Sequence, residues 1–108
     1  MNLLEECRQY RGMKAEAALL RYQLQAQEQE PDTDPGQTEQ LQRQIEELAQ
    51  HCANVEATIA SAPDATLRAA LMMHYQLGMR WKAAAAEIGG ELMADALRKR
   101  VYRFLSER

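Results

Sequence analysis

Apolar positions recur at steps of three and four through two long stretches of the chain. Leu3, Cys7, Tyr10, Met13, Ala17, Leu20 and Leu24 form one seam, the spacing of an amphipathic helix. Leu41, Ile45, Leu48, Cys52, Val55 and Ile59 form a second, whose 4-3-4-3-4 steps make a nearly strict a/d heptad repeat. The first pattern predicts a helix running to about Gln29, and the second predicts a helix opened by Asp34 as N-cap with Pro35 in its first turn. Between them, Pro31-Asp-Thr-Asp-Pro35-Gly36 is a turn. Neither seam can remain in water, so the two helices are expected to fold back as an antiparallel hairpin, with Leu24 facing Leu41 and Ile45 and Tyr10 facing Ile59. That register sets Cys7 and Cys52 several turns apart, which predicts free thiols serving as small seam residues. A two-helix hairpin buries one stripe per helix, so it is expected to pack on the C-terminal part, on a second copy, or on both.

Beyond Ile59 the elements become shorter. Ser61-x-x-Asp64, with Pro63 between, has the spacing of a capping box and opens a helix that buries Leu67, Leu71 and Tyr75 and stops at Gly78. The stretch Arg80 to Ile88 places Trp81, Ala84, Ala85 and Ile88 on one face, with small residues that let another helix cross closely, and Gly89-Gly90 ends it. Asp95 is expected to cap a last helix. On it Leu97, Val101, Phe104 and Leu105 define the buried side, while Lys99, Tyr102, Arg103 and Ser106 lie opposite and Arg98 and Arg100 flank them. The fold class is therefore all-α: an antiparallel helical hairpin over residues 1–60 and a trihelical unit over residues 61–108.

Composition sharpens this picture. The 108 residues set a ceiling of one modest core, and 46% hydrophobic with 27% charged residues is the balance of a folded chain. Aromatics reach only 6%, which favours helix over sheet. The net charge of −3 conceals an asymmetry: residues 1–62 hold 5 basic against 11 acidic side chains, residues 63–108 hold 8 against 5. A basic C-terminal part beside an acidic N-terminal one is the footprint of nucleic-acid binding by one portion of a chain. A short helix with central alanines, a glycine turn and a helix with a cationic outer face together have the layout of a helix-turn-helix, whose second helix enters the major groove. Arg80 and Lys82 are expected at phosphates, and Asp95, Arg98, Lys99, Arg100, Tyr102 and Arg103 at or beside the groove.

The stretch from Leu67 to Leu105, LRAALMMHYQLGMRWKAAAAEIGGELMADALRKRVYRFL, resembles the C-terminal helix-turn-helix of small bacteriophage and prophage proteins related to sigma-factor region 4, among them the RinA-like and ArpU-like late transcription regulators. The helix before Gly78, Trp81, Ala85, Ile88-Gly89-Gly90, Ala94-Asp95, Leu97-Arg98-Lys99 and Tyr102-Arg103-Phe104-Leu105 carry the likeness. It implies binding to double-stranded DNA or contact with RNA polymerase, without catalysis. The turn departs from the usual motif, because Gly89 lies farther from Leu97 than the turn glycine ordinarily lies from the first buried residue. Glu91 to Ala94 either start the helix early or form a loop ahead of Asp95.

No set of titratable groups converges as an enzyme would require, and no cofactor or metal is implied. His51 and His74 read as structural or solvent-facing, and Trp81, Met72, Met73, Met79 and Met93 as core filling. No apolar run approaches the roughly 20 residues of a membrane span, and Glu5, Glu6 and Arg8 stand where a signal peptide would be apolar, so the expected location is the cytoplasm of a bacterial host. The expected function is a phage-type transcription regulator, self-associating through the hairpin. A helical protein–protein adaptor and a small DNA-packaging protein are the alternatives.

Overall fold

The structure, a computed structural model, describes residues 1–32 and 34–108 and is built of helices and turns, with no strand among the described residues. Thr33, inside the expected turn, lies outside them. Helix α1 (Leu3–Glu28) starts where Asn2 accepts a hydrogen bond from the Glu5 amide at 2.9 Å, and Glu5 and Glu6 in its first turn suit the positive end of the helix dipole. Helix α2 (Pro35–Ala60) starts as expected, with the Asp34 carboxylate accepting from the Gly36 amide at 2.9 Å and Pro35 in the first turn.

The expected capping box does not form, because the two residues serve different helices. Ser61 ends α2, its hydroxyl donating to the Thr58 carbonyl, while Asp64 alone caps α3 (Ala65–Leu71) by accepting from the Leu67 amide at 2.8 Å. Helix α3 then widens into a single π turn over Met72–Gln76, closed by the Leu77 amide donating to the Met72 carbonyl at 2.9 Å. Gly78, at φ 75°, supplies the left-handed residue that turns the chain away. Helix α4 (Trp81–Ile88) ends at Gly89, and two consecutive positive-φ glycines, 88° and 74°, form the extended turn to α5 (Ala94–Ser106). The loop alternative holds over residues 89–93. Asp95 is not the N-cap: Met93 occupies that position with no side-chain bond, and Asp95 sits inside the first turn.

The core sits where the open end of the hairpin meets the C-terminal helices. Cys7, Tyr10 and Met13 of α1 and Cys52, Val55 and Ile59 of α2 join Leu67, Leu71 and Tyr75, Ala84 and Ala85, and Leu97, Val101 and Leu105 in one buried cluster. Each such aliphatic side chain contributes about 1.5–3 kcal/mol relative to exposure, so Leu71, Leu97, Val55 and Val101, all 0% exposed, dominate the packing. Farther out, Leu20, Leu24, Leu41 and Ile45 are only half-buried, because there each helix has a single neighbour. The molecule is accordingly long, 61 × 25 × 17 Å, with the distal hairpin standing clear as an arm. Cys7 and Cys52 are both buried and free.

Five expected placements change. Phe104 is half-buried rather than buried, with the Arg108 guanidinium 5.0 Å from its ring centroid. Tyr102 does not face away: it is half-buried, edge-on to Trp81 at 6.4 Å, because α1 reaches that side of α5. Met72 and Met93 are exposed, at 47% and 70%, since the π turn and the loop carry them off the core, and Trp81 is half-buried at its margin.

Candidate nucleic-acid interface

Helix α5 is divided lengthwise by its own spacing. Leu97, Val101 and Leu105 point inward, and Arg98, Lys99, Arg100 and Arg103 are exposed. Their side chains remain open, 71% for Lys99 and 46% for Arg100. Helix α4 is held against the π turn by aromatic packing: His74 stacks on Trp81 at 3.8 Å between centroids, and Tyr75 meets it edge-on at 6.0 Å. His74 is fixed in turn by donating from Nδ1 to the Met79 carbonyl at 2.7 Å. This anchors the first turn of α4, where Arg80 and Lys82 are exposed. Trp81 shares a shallow cleft with Ala94, Asp95 and Arg98, and Lys82 lines a second with Leu92, Met93 and Ala94, so the start of α4 adjoins the start of α5.

Carboxylates temper this cationic surface. Asp95 pairs with Lys99 at 3.0 Å and with Arg98, and its carboxyl is held below the usual range by the Lys99 hydrogen bond, the Lys99 charge and Arg98. Asp64 uses Oδ1 to cap α3 and Oδ2 to pair with Arg100. Among the described residues, Arg80, Lys82 and Arg103 have no carboxylate partner. Of the eight residues expected at DNA, the structure thus sets seven at the exposed surface, three of the cations already paired, and withdraws Tyr102.

Tyr102 is met instead by a cation from the far end of the chain. Arg8 of α1 donates from Nη2 to the Tyr102 hydroxyl at 3.4 Å, with its guanidinium carbon 5.9 Å from the ring centroid. The two residues lie 94 positions apart, a pairing no local pattern signals. A second polar cluster lies within the hairpin. Glu6 is 6% exposed, and its Oε2 accepts from His51 Nδ1 at 2.9 Å and from Asn54 Nδ2 at 3.0 Å. Burial alone would raise this carboxyl, but the hydrogen bonds from His51 and Asn54 outweigh it and leave Glu6 below the ordinary glutamate range. Its signal in the sequence is its place four residues before Tyr10 on the seam.

Among the described residues no group of three or more His, Cys, Asp or Glu side chains is arranged to hold a metal, and no helix is long and apolar enough to cross a membrane. Burial and the neighbouring Glu6 charge push the Cys7 thiol up to about 11, the opposite of what a nucleophilic cysteine needs. The chemistry this surface offers is charge and hydrogen-bond donation from arginine and lysine. Comparison with protein-family models, curated proteins and solved structures finds no match.

Proposed function

We propose that this protein binds duplex DNA with the outer side of α5 and the first turn of α4, as a transcription regulator of the phage type that its last 40 or so residues resemble. The observation that carries the reading is the lengthwise division of α5 beside the exposed start of α4: a fully buried apolar stripe fixes the helix while Arg98, Lys99, Arg100 and Arg103, with Arg80 and Lys82, stay accessible. Such donors reach phosphates and guanine edges in a major groove. The extended turn at Gly89–Met93 starts the helix at Ala94, so Asp95, Arg98 and Lys99 enter the groove first and Arg103 meets the backbone farther along.

The test is fluorescence anisotropy of a labelled random duplex at several salt concentrations. Binding at low salt is expected, and the double variant Lys99→Ala/Arg103→Ala should flatten the plot of log affinity against log salt by about 0.9 units for each phosphate no longer neutralised. Unchanged binding by that variant removes these residues from the interface, and no binding by the natural chain removes the reading.

A second reading rests on the pairing of Arg98, Lys99 and Arg100 with Asp95 and Asp64. Cations satisfied within the chain suit a helical adaptor whose acidic hairpin, rather than α5, meets another protein. A small DNA-packaging role or contact with RNA polymerase would use the same surface. Site selection from random duplex distinguishes regulation, which requires a preferred sequence, from packaging, which does not.

A further inference from the structure

Helix α1 carries a second apolar stripe. Ala15, Ala18, Leu19, Tyr22 and Ala26 repeat at heptad spacing, and at about 100° per residue they fall on the side opposite the Met13, Ala17, Leu20, Leu24 seam that meets α2. All five are exposed, Leu19 by 55% and Tyr22 by 72%. Nearer the base the same side of α1 is covered: Leu4 lines a cleft with Tyr102 and Leu105, Arg8 bonds Tyr102, and the Arg11 guanidinium lies against Gly78. The C-terminal helices end their cover there and the stripe runs on into solvent.

We propose that this stripe is the docking face for a second copy of the chain, α1 packing antiparallel on α1 about a two-fold axis that passes between Leu19 and Tyr22. The face complements itself under that operation, as a two-fold interface must. Leu19 of one copy meets Tyr22 of the other, and Ala15 meets Ala26, a layer of large residues flanked by small ones that let the backbones approach. A parallel pair is excluded sterically, because it would drive the two sets of C-terminal helices, which already occupy the start of this face, into each other.

Charge selects the same arrangement. No basic residue lies between Arg21 and Arg43, while Glu28, Asp32, Asp34 and Glu39 fall there, so the arm's tip is acidic. Antiparallel overlap brings that tip toward Arg8 and Arg11 of the other copy, at the edge of the cover that the C-terminal helices provide. The stripe spans 12 residues, about 17 Å of helix, so the interface is small and of moderate affinity. This proposal stands independently of DNA binding, since neither Leu19 nor Tyr22 belongs to the cationic surface.

Sedimentation equilibrium of the full chain tests it. At a protein concentration of about 50 µM the natural chain is expected at twice its 12.3 kDa, shifting toward one copy as salt screens the charges. Leu19→Glu/Tyr22→Glu, both at exposed positions, should give a single copy with unchanged helical circular dichroism, and Ala18→Asp should do the same by a separate route. Oxidised mixtures of Ala15→Cys and Ala26→Cys chains should form the mixed disulfide, while Ala15→Cys alone should not cross-link. A natural chain of one-copy mass, a double-Glu variant that stays paired, or Ala15→Cys cross-linking to itself would each overturn the proposal.

Discussion

Asp95 is the residue whose removal speaks most directly to the proposed DNA-binding surface. It neutralises Lys99 at 3.0 Å and also engages Arg98, so two of the exposed cations of α5 present their charge to solvent only in part. Replacing it with Asn keeps size and shape, leaves the Leu97, Val101 and Leu105 stripe untouched, and withdraws one negative charge from the place where phosphates would come closest. Each additional phosphate neutralised steepens the dependence of log affinity on log salt by about 0.9 units, so release of both cations should steepen it by up to about 1.8. Asp95→Asn is therefore expected to bind duplex more tightly than the natural chain at low salt and to lose that advantage as salt rises. The assay is an anisotropy titration of one labelled duplex from low to near-physiological ionic strength, with the slope as readout. An unchanged slope would refute the reasoning, since Arg98 and Lys99 would then lie away from phosphates. Weaker binding would refute it in another way, by showing that the carboxylate holds the two cations in a posture that recognition needs.

Other outcomes follow from the core and the hairpin. Leu97→Ala empties a site that is 0% exposed and should cost about 2–5 kcal/mol in a urea titration, a large share of a small domain's stability. Because the Glu6 carboxyl is depressed in the folded state, its contribution is present above the ordinary glutamate range and is lost as pH falls through the lower folded value. Thermal melts at descending acid pH should show that loss, and Glu6→Gln should shrink this part of the pH dependence. Burial raises the Cys7 thiol to about 11 and raises Cys52 as well, so a thiol reagent at neutral pH should modify the native chain slowly and the denatured chain at once.

Much of the architecture is legible in residue spacing, because helices advertise themselves through period. The two seams of the hairpin, the Asp34-Pro35 start of α2 and the inward triplet Leu97, Val101, Leu105 all follow from local rules that tertiary packing leaves in force. What escapes is set by parts of the chain far apart in sequence. The π turn at Met72–Gln76 leaves no local signature, and the residues within it, His74 and Tyr75, pack on Trp81 beyond the next turn. Tyr102 looks outward on a lone helix and is enclosed because Trp81 of α4 and Leu4 and Arg8 of α1 arrive around it. Asp95 has the chemistry of a cap, yet the helix starts one residue before it, so its carboxylate turns to Lys99 and Arg98. For the candidate surface, charge clustering picks out a helix whose cations the fold leaves exposed, whereas the intramolecular partners of those cations depend on the folded arrangement of α3 and α5.

The meeting of α1 with α5 makes the first helix depend on the last. Leu3 and Leu4 pack beside Tyr102 and Leu105, so the site that shelters the start of α1 is completed only by the later turns of α5. During synthesis the hairpin can zip up early, but its base remains unsealed until α5 has emerged from the ribosome. A chain stopped short of Val101 would leave Leu3 and Leu4 without the Tyr102 and Leu105 side of their shelter, so such fragments are expected to be cut by proteases near the start of α1 sooner than molecules carrying α5.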